Sequence, residues 1–233
     1  MTGMITTLLL SIIPAVIAIT LHEAAHGYAA WALGDSTARD AGRLSLNPLR
    51  HVDRVGTIIL PGVLVIGQLL TIGRVEFLFG WAKPVPVNAW AFKNPRRGMA
   101  MVAAAGPAMN FALAWLTALC FHGFSLVPDA WADDVADMLQ MFMLVNLVLG
   151  LFNLLPIPPM DGGRIMVGIL PLALARGWAK LERAGLAIVL LLILVLPNLG
   201  PSLGIHFDPV HDLLERALPG AMRLVMRAAF FHV

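Results

Sequence analysis

Long apolar runs limit what this chain can fold into more than any other feature. Five regions are apolar enough to enter a bilayer, at roughly 4–33, 55–73, 99–122, 136–156 and 184–200, and one helical span needs about 20 such residues. Charged residues make up 13% of the chain and hydrophobic residues 59%, whereas a soluble domain is about one-quarter charged. The chain is therefore expected to be an all-α membrane protein, a polytopic helical bundle with about four to six membrane segments.

No polar block is long enough to fold separately, so we expect one membrane-embedded domain over residues 1–233. Its core would be 4–175, with a further span at 184–200. Residues 209–232 alternate apolar and charged side chains at helical spacing, which predicts an amphipathic helix on a surface. The single cysteine, Cys120, cannot form an internal disulfide and is expected to be a small core residue.

The charges of the loops predict the topology. Loop 123–135 has three aspartates and no lysine or arginine, which favours the non-cytoplasmic side, whereas loops 34–54 and 74–98 are rich in arginine and favour the cytoplasm. The segment 55–73 lies between two basic loops, so we expect it to be re-entrant or peripheral. The net charge of +2 is explained by this topology, and we expect the lipid bilayer as a partner and no nucleic acid.

The first apolar run contains the motif His-Glu-x-x-His. His22 and His26 are spaced i, i+4, about 40° apart around a helix, so both imidazoles can reach one metal ion. Zinc hydrolases use this arrangement, with the two histidines as ligands and the glutamate, here Glu23, as general base. Ionisable side chains at membrane depth are costly and suggest function. The alternatives are a polar cluster hydrogen-bonded between helices or a proton relay.

A hydrolytic zinc site needs a third protein ligand, and Asp161 is the candidate. It is the only acidic residue between Asp137 and Glu182. The prolines before it must end the preceding helix, and Gly162-Gly163 after it allow a tight turn. The alternative is that Asp161 merely caps the next helix. We favour a metal ligand, because a carboxylate at this depth needs a partner.

Three further segments have weaker signals. The proline-rich residues 81–88 predict an extended edge segment. Residues 106–110, Gly-Pro-Ala-Met-Asn, predict a bend with a buried amide, and close helix packing is favoured there over direct chemistry. His206 and His211 flank Asp208, where a second metal site is a less favoured alternative to an interfacial loop.

With these residues in place, the chain resembles the site-2 protease family of intramembrane zinc metalloproteases, in its small form without PDZ or CBS domains. The matching segments are residues 22–27, 42–53, 80–87, 105–110 and 153–162. The resemblance implies that His22, His26 and Asp161 bind one zinc ion and that Glu23 is the catalytic base. It also implies that Asn153 helps to hold the substrate or the oxyanion.

The resemblance further implies the substrate and the location. The expected activity is hydrolysis of peptide bonds in or near the transmembrane helices of single-pass membrane proteins, as in regulated intramembrane proteolysis. The expected location is a prokaryotic cell membrane, and the basic loops favour an active site towards the cytoplasm. The alternative is a metal-ion or proton transporter that uses the same cluster as a transit site. One compact cluster and no internal repeat favour the protease, and the sequence does not set the oligomeric state.

Overall fold

The chain is mostly helical in the part that the computed structural model describes, residues 2–71, 73–74, 80–199, 204 and 208–231. These residues contain no strand. The α-helices are α1 (Thr2–Ala32), α2 (Thr37–Asp40), α3 (Leu60–Thr71), α4 (Pro95–Cys120), α5 (Asp129–Asn153), α6 (Asp161–Ile169), α7 (Leu172–Lys180), α8 (Gly185–Leu190), α9 (Leu196–Leu199) and α10 (Pro209–Ala228). The prediction of an all-α membrane protein is confirmed.

Three helical segments among the described residues are long and apolar enough to cross a membrane. They are Arg54–Thr71, Pro95–Leu126 and Asp129–Asn153. The first combines a π-helix with α3, and the second continues α4 by a 3-10 turn. Together with the composition, these segments indicate an integral membrane protein, with its apolar helices in the lipid bilayer.

Helix α4 is the centre of the bundle and packs against α1, α5 and α6. The buried residues of α4 are mostly small; they include Gly98, Ala103, Gly106, Ala114 and Ala118. Small side chains let helix backbones approach closely, which is the usual basis of helix association in membranes. This packing brings the middle of α1 and the start of α6 to the same part of α4.

The segment between the two basic loops leaves the bundle and returns to it. Its first residues form a π-helix, Arg54–Ile59, that leads into α3. The N–H of Trp81 donates to the carbonyl of Gly56 over 3.1 Å, and the N–H of Lys83 donates to the carbonyl of His51 over 2.8 Å. The two basic loops are therefore neighbours, which agrees with the expectation that both lie on one side of the membrane.

The C-terminal helix α10 covers the end of the bundle formed by α4 and α5. Val225 and the following Ala229 join a buried cluster that also contains Ala114, Ala118, Met143 and Leu147. The indole N–H of Trp115 donates to the carbonyl of Ala228 over 3.1 Å. The expected amphipathic helix thus uses its apolar face for packing within the chain. The expectation for Cys120 is wrong, because its side chain is exposed.

Candidate active site

The two histidines of α1 and the aspartate that begins α6 converge on one point. The Nε2 atoms of His22 and His26 are 3.0 Å apart. Asp161 Oδ2 lies 3.1 Å from the first of these nitrogens and 3.3 Å from the second. His22 and Asp161 are buried, with 7% and 6% of their surface exposed. Three potential ligand atoms therefore meet inside the protein, away from bulk water.

Hydrogen bonds on the opposite side of each imidazole orient the rings. His26 Nδ1 is 2.7 Å from the carbonyl oxygen of Val102, which can only accept, so this nitrogen carries the proton. His22 Nδ1 is 2.6 Å from Asn110 Oδ1. With the protons on Nδ1, both Nε2 atoms present lone pairs to each other and to the carboxylate. Asp161 Oδ2 is buried and has no hydrogen-bond donor, so its contacts with the histidines are ion pairs only if the imidazoles are doubly protonated.

This arrangement fits a metal ion. The ligands of a tetrahedral zinc ion, each about 2.0–2.1 Å from the metal, lie about 3.3 Å apart. The observed separations of 3.0, 3.1 and 3.3 Å are close to that value. Converging lone pairs without a proton repel one another, and a cation removes that repulsion. Among the described residues, His22, His26 and Asp161 are the only group of three or more such side chains that could hold an ion.

Asp161 does not act as a helix cap, so the alternative interpretation of this residue is wrong. The residue at the N-cap of α6 is Met160, and no side chain caps this helix. A Cβ atom on Gly162 would lie 2.2 Å from the carbonyl oxygen of Leu154. Glycine is therefore needed where the turn after α5 presses against α6, and this tight turn directs the carboxylate of Asp161 towards α1.

Glu23 and Asn153 line the same cavity as the three potential ligands. The cavity has a volume of about 410 Å³ and is bounded by residues of α1, α4, α5, α6 and α8, of the turn before α6 and of the segment 80–87. Glu23 Oε2 accepts the N–H of Val85 over 3.2 Å. Asn153 Nδ2 donates to the carbonyl of Leu149 over 3.0 Å, which leaves its second N–H for another acceptor. The structure thus brings all five predicted site residues together.

The segment 80–88 is neither helix nor strand. Arg43, which is 9% exposed, donates from Nη2 to the carbonyl of Lys83 over 2.7 Å. Asp35 accepts the N–H of Asn88 over 2.7 Å. The expected extended segment is therefore held by side chains of the preceding loop and reaches the site through the Val85 N–H.

Sequence reasoning missed two residues that support the site. Asn110 was expected to serve helix packing, yet its side chain meets His22. Asn146 was not singled out, and it contacts Asn110 within the bundle. The available signal was a polar side chain in an otherwise apolar run, which does not identify its partner.

The second metal site has no support among the described residues. His206 lies outside them. Asp208 caps α10 by accepting the N–H of His211 over 3.1 Å. The imidazole of His211 is exposed and lies 3.9 Å from Glu215, and no third ligand is grouped with them.

A His-Glu-x-x-His helix that shares one cavity with a buried aspartate provides the residue set of a zinc metalloprotease. The family model described as "Peptidase family M50" matches residues 123–196. A Bacillus subtilis protein named "Putative zinc metalloprotease YwhC" is 37% identical over 190 residues, which are 80% of this chain and 80% of that protein. The chain therefore belongs to peptidase family M50, the site-2 protease family that its motifs predict.

A second relative extends the comparison to another bacterial lineage. The protein named "Putative zinc metalloprotease Rip2" from Mycobacterium tuberculosis is 30% identical over 204 residues, which are 85% of this chain and 70% of that protein. No solved structure matches the chain significantly.

Proposed function

We propose that this protein is a zinc endopeptidase that hydrolyses peptide bonds in or near the transmembrane helices of single-pass membrane proteins. His22, His26 and Asp161 would hold one zinc ion, and Glu23 would be the catalytic base. The observation that carries the proposal is the meeting of three buried ligand atoms, 3.0–3.3 Å apart, beside a glutamate in one cavity.

The proposed chemistry divides between the metal and the side chains. When bound, zinc lowers the pKa of water towards neutrality and polarises a peptide carbonyl. Glu23 takes a proton from the attacking water and later delivers it to the leaving amine. Its Oε2 accepts the Val85 N–H, which leaves Oε1 available to receive the proton. The hydrogen bond from the main chain holds the carboxylate at a fixed position beside His22.

Asn153 is proposed to stabilise the oxyanion. Its hydrogen bond to Leu149 fixes the amide, and its second N–H is available for the negative charge that develops on the carbonyl oxygen. A donor that is already oriented needs no reorganisation during the reaction, which is why such donors lower the barrier.

The cavity supports an extended apolar substrate. Most of its lining is apolar and includes Trp81, Val85, Phe152 and Leu186. The peptide bonds of a helix are shielded by its own hydrogen bonds, so a transmembrane substrate must unwind before it reaches Glu23. An apolar wall reduces the cost of holding such a segment out of the lipid.

We also propose the location and orientation. The bacterial sources of the two relatives support a prokaryotic cell membrane. The arginine-rich loops, which the Trp81–Gly56 and Lys83–His51 hydrogen bonds bring side by side, support a site that opens to the cytoplasm. The protein would act as one membrane domain over residues 1–233.

The test is cleavage of a single-pass model substrate by the full-length protein in detergent, with zinc content measured in parallel. Glu23→Gln should keep about one zinc ion per chain and lose cleavage, because it removes the base and keeps the ligands. The matched control is Glu215→Gln, an exposed position on α10, which should cleave like the wild type. Cleavage by Glu23→Gln at the wild-type rate would refute the role of the base. A wild-type protein without zinc would refute the metal site.

A further inference from the structure

Two buried asparagines connect the proposed metal site to helix α5. Asn110 on α4 and Asn146 on α5 are both 0% exposed. Asn110 Nδ2 donates to Asn146 Oδ1 over 3.0 Å, and Asn110 Oδ1 is 2.6 Å from His22 Nδ1. Asn146 Nδ2 donates to the carbonyl of Phe142 over 2.9 Å. These contacts form one chain of hydrogen bonds through α1, α4 and α5.

The last of these hydrogen bonds determines which group donates and which accepts in all the others. The carbonyl of Phe142 can only accept, so Asn146 must turn its NH₂ group towards that oxygen and its own oxygen towards Asn110. Asn110 then presents its NH₂ group to Asn146, and the carbonyl of Ala18, 3.4 Å from Nδ2, accepts from the same group. Only the oxygen of Asn110 remains to face His22.

An oxygen in that position decides which nitrogen of His22 carries the proton. A carbonyl oxygen 2.6 Å from Nδ1 requires a proton on Nδ1, because two acceptors at that distance repel. The neutral ring carries one proton, so Nε2 is left with its lone pair. That lone pair points to the meeting point with His26 and Asp161.

We propose that Asn110 and Asn146 are positioning residues that hold His22 in the tautomer with the proton on Nδ1 and keep Nε2 available for the metal. His26 needs no such side chains, because its Nδ1 proton is directed by the main-chain carbonyl of Val102. The inference rests on the proposed metal site, and it does not depend on which peptide is cut. Groups that orient a metal-bound histidine typically change metal affinity by about 10- to 100-fold when they are removed.

The decisive variant is Asn146→Leu, which keeps the branching of the side-chain heavy atoms, removes both polar groups and does not change a proposed metal ligand. It removes the nearer of the two oxygens that accept from the Asn110 amide and leaves only the Ala18 carbonyl at 3.4 Å, so the amide can turn and present NH₂ to His22. The tautomer is read by ¹⁵N NMR of the metal-free, full-length protein in detergent, with ¹⁵N-labelled histidine and assignment by a His22→Gln variant. Zinc affinity is measured with zinc alone, in competition with a chromophoric chelator.

The matched control is Thr117→Val on α4. The Thr117 hydroxyl is buried and donates to the carbonyl of Leu113, one helical turn earlier, over 2.7 Å. Asn146 makes the same kind of bond within its own helix, but Thr117 is not part of the hydrogen bonds that lead to His22. We expect Asn146→Leu to lose the single Nδ1-protonated form of His22, to leave His26 unchanged and to bind zinc about 10- to 100-fold more weakly. Thr117→Val should change neither reading.

The inference is overturned if Asn146→Leu keeps both the tautomer and the affinity. It is also overturned if Thr117→Val perturbs the histidines to the same extent, since that would indicate a general loosening of the bundle. A wild-type protein with the Nδ1 proton on His22 but no zinc affinity would refute the proposed function and still support the tautomer assignment.

Discussion

Replacing Gly106 by alanine should damage the site while leaving the helices intact. A Cβ atom at this position of α4 would lie 2.5 Å from Cε1 of His22 and 2.5 Å from both Cε1 and Nε2 of His26. Carbon atoms in contact are normally about 3.5–4.0 Å apart, so the rings or the helix must move by about 1 Å. Both imidazoles are clamped from behind by Asn110 and Val102, and neither ring can yield without losing its hydrogen bond.

The expected loss follows from that displacement. A shift of about 1 Å in a catalytic group can reduce the rate about 100-fold. The overpacking costs about 1–3 kcal/mol, and alanine in place of glycine returns about 1 kcal/mol of helix propensity. Gly106→Ala should therefore remain folded, with a free energy of unfolding lowered by no more than about 2 kcal/mol, and should lose most of its cleavage and zinc affinity.

The assay compares zinc content, thermal unfolding and cleavage of the same model substrate for three proteins. Gly177→Ala is the matched control, because Gly177 lies within α7 and a Cβ there meets nothing within 4 Å. The control should match the wild type in activity and be slightly more stable. A Gly106→Ala protein with full zinc content and at least half the wild-type rate would show that the histidines are not held by α4, and the reasoning would be wrong.

Two further predictions concern the loop that supports the site. Burial alone raises the pKa of Asp35, but hydrogen bonds from Thr37 and from the Asn88 N–H outweigh it and hold this pKa below its usual value. The stabilisation by Asp35 is therefore complete above the unfolded pKa of about 3.9 and is lost as the pH falls through the folded pKa. Asp35→Asn should be less stable than the wild type by about 2 kcal/mol at pH 7. Thermal unfolding should show this difference shrinking below about pH 4, and a difference of the same size at pH 7 and below pH 4 would contradict the prediction. Arg43→Lys loses the planar guanidinium that holds the 80–88 segment, so cleavage should fall about 10-fold at unchanged zinc content. An unaltered cleavage rate would contradict the idea that this segment holds Glu23 in position.

The helices and the candidate ligands could be predicted because they depend on local patterns. The i, i+4 spacing of His22 and His26 requires only helical geometry, and an apolar run predicts the helix. Asp161 could be named because no other carboxylate was available in its region of the sequence. Whether its carboxylate faces the two histidines or caps a helix depended on the position of α6 relative to α1, which a local pattern does not contain.

The supporting contacts could not be predicted, since they join residues that are far apart in the sequence. The Val85 N–H that meets Glu23 is 62 residues away from it, and Asn110 is 88 residues away from His22. The sequence did not indicate the role of Asn146, because a single asparagine in an apolar run gives the same pattern whether it bonds within its own helix or to a neighbouring helix.

By itself, the sequence determined that this protein is helical, membrane-embedded and equipped with a His-Glu-x-x-His helix. Hydropathy and helical periodicity are patterns within a few helical turns, so they can be recognised in the sequence alone. Only the tertiary structure decided that Asp161 faces the two histidines, that the segment 80–88 reaches Glu23, and that Asn110 points its oxygen at His22. Those outcomes depend on how closely α4 packs against α1, α5 and α6, and hydrogen-bond direction is set only when donor and acceptor are brought to contact distance.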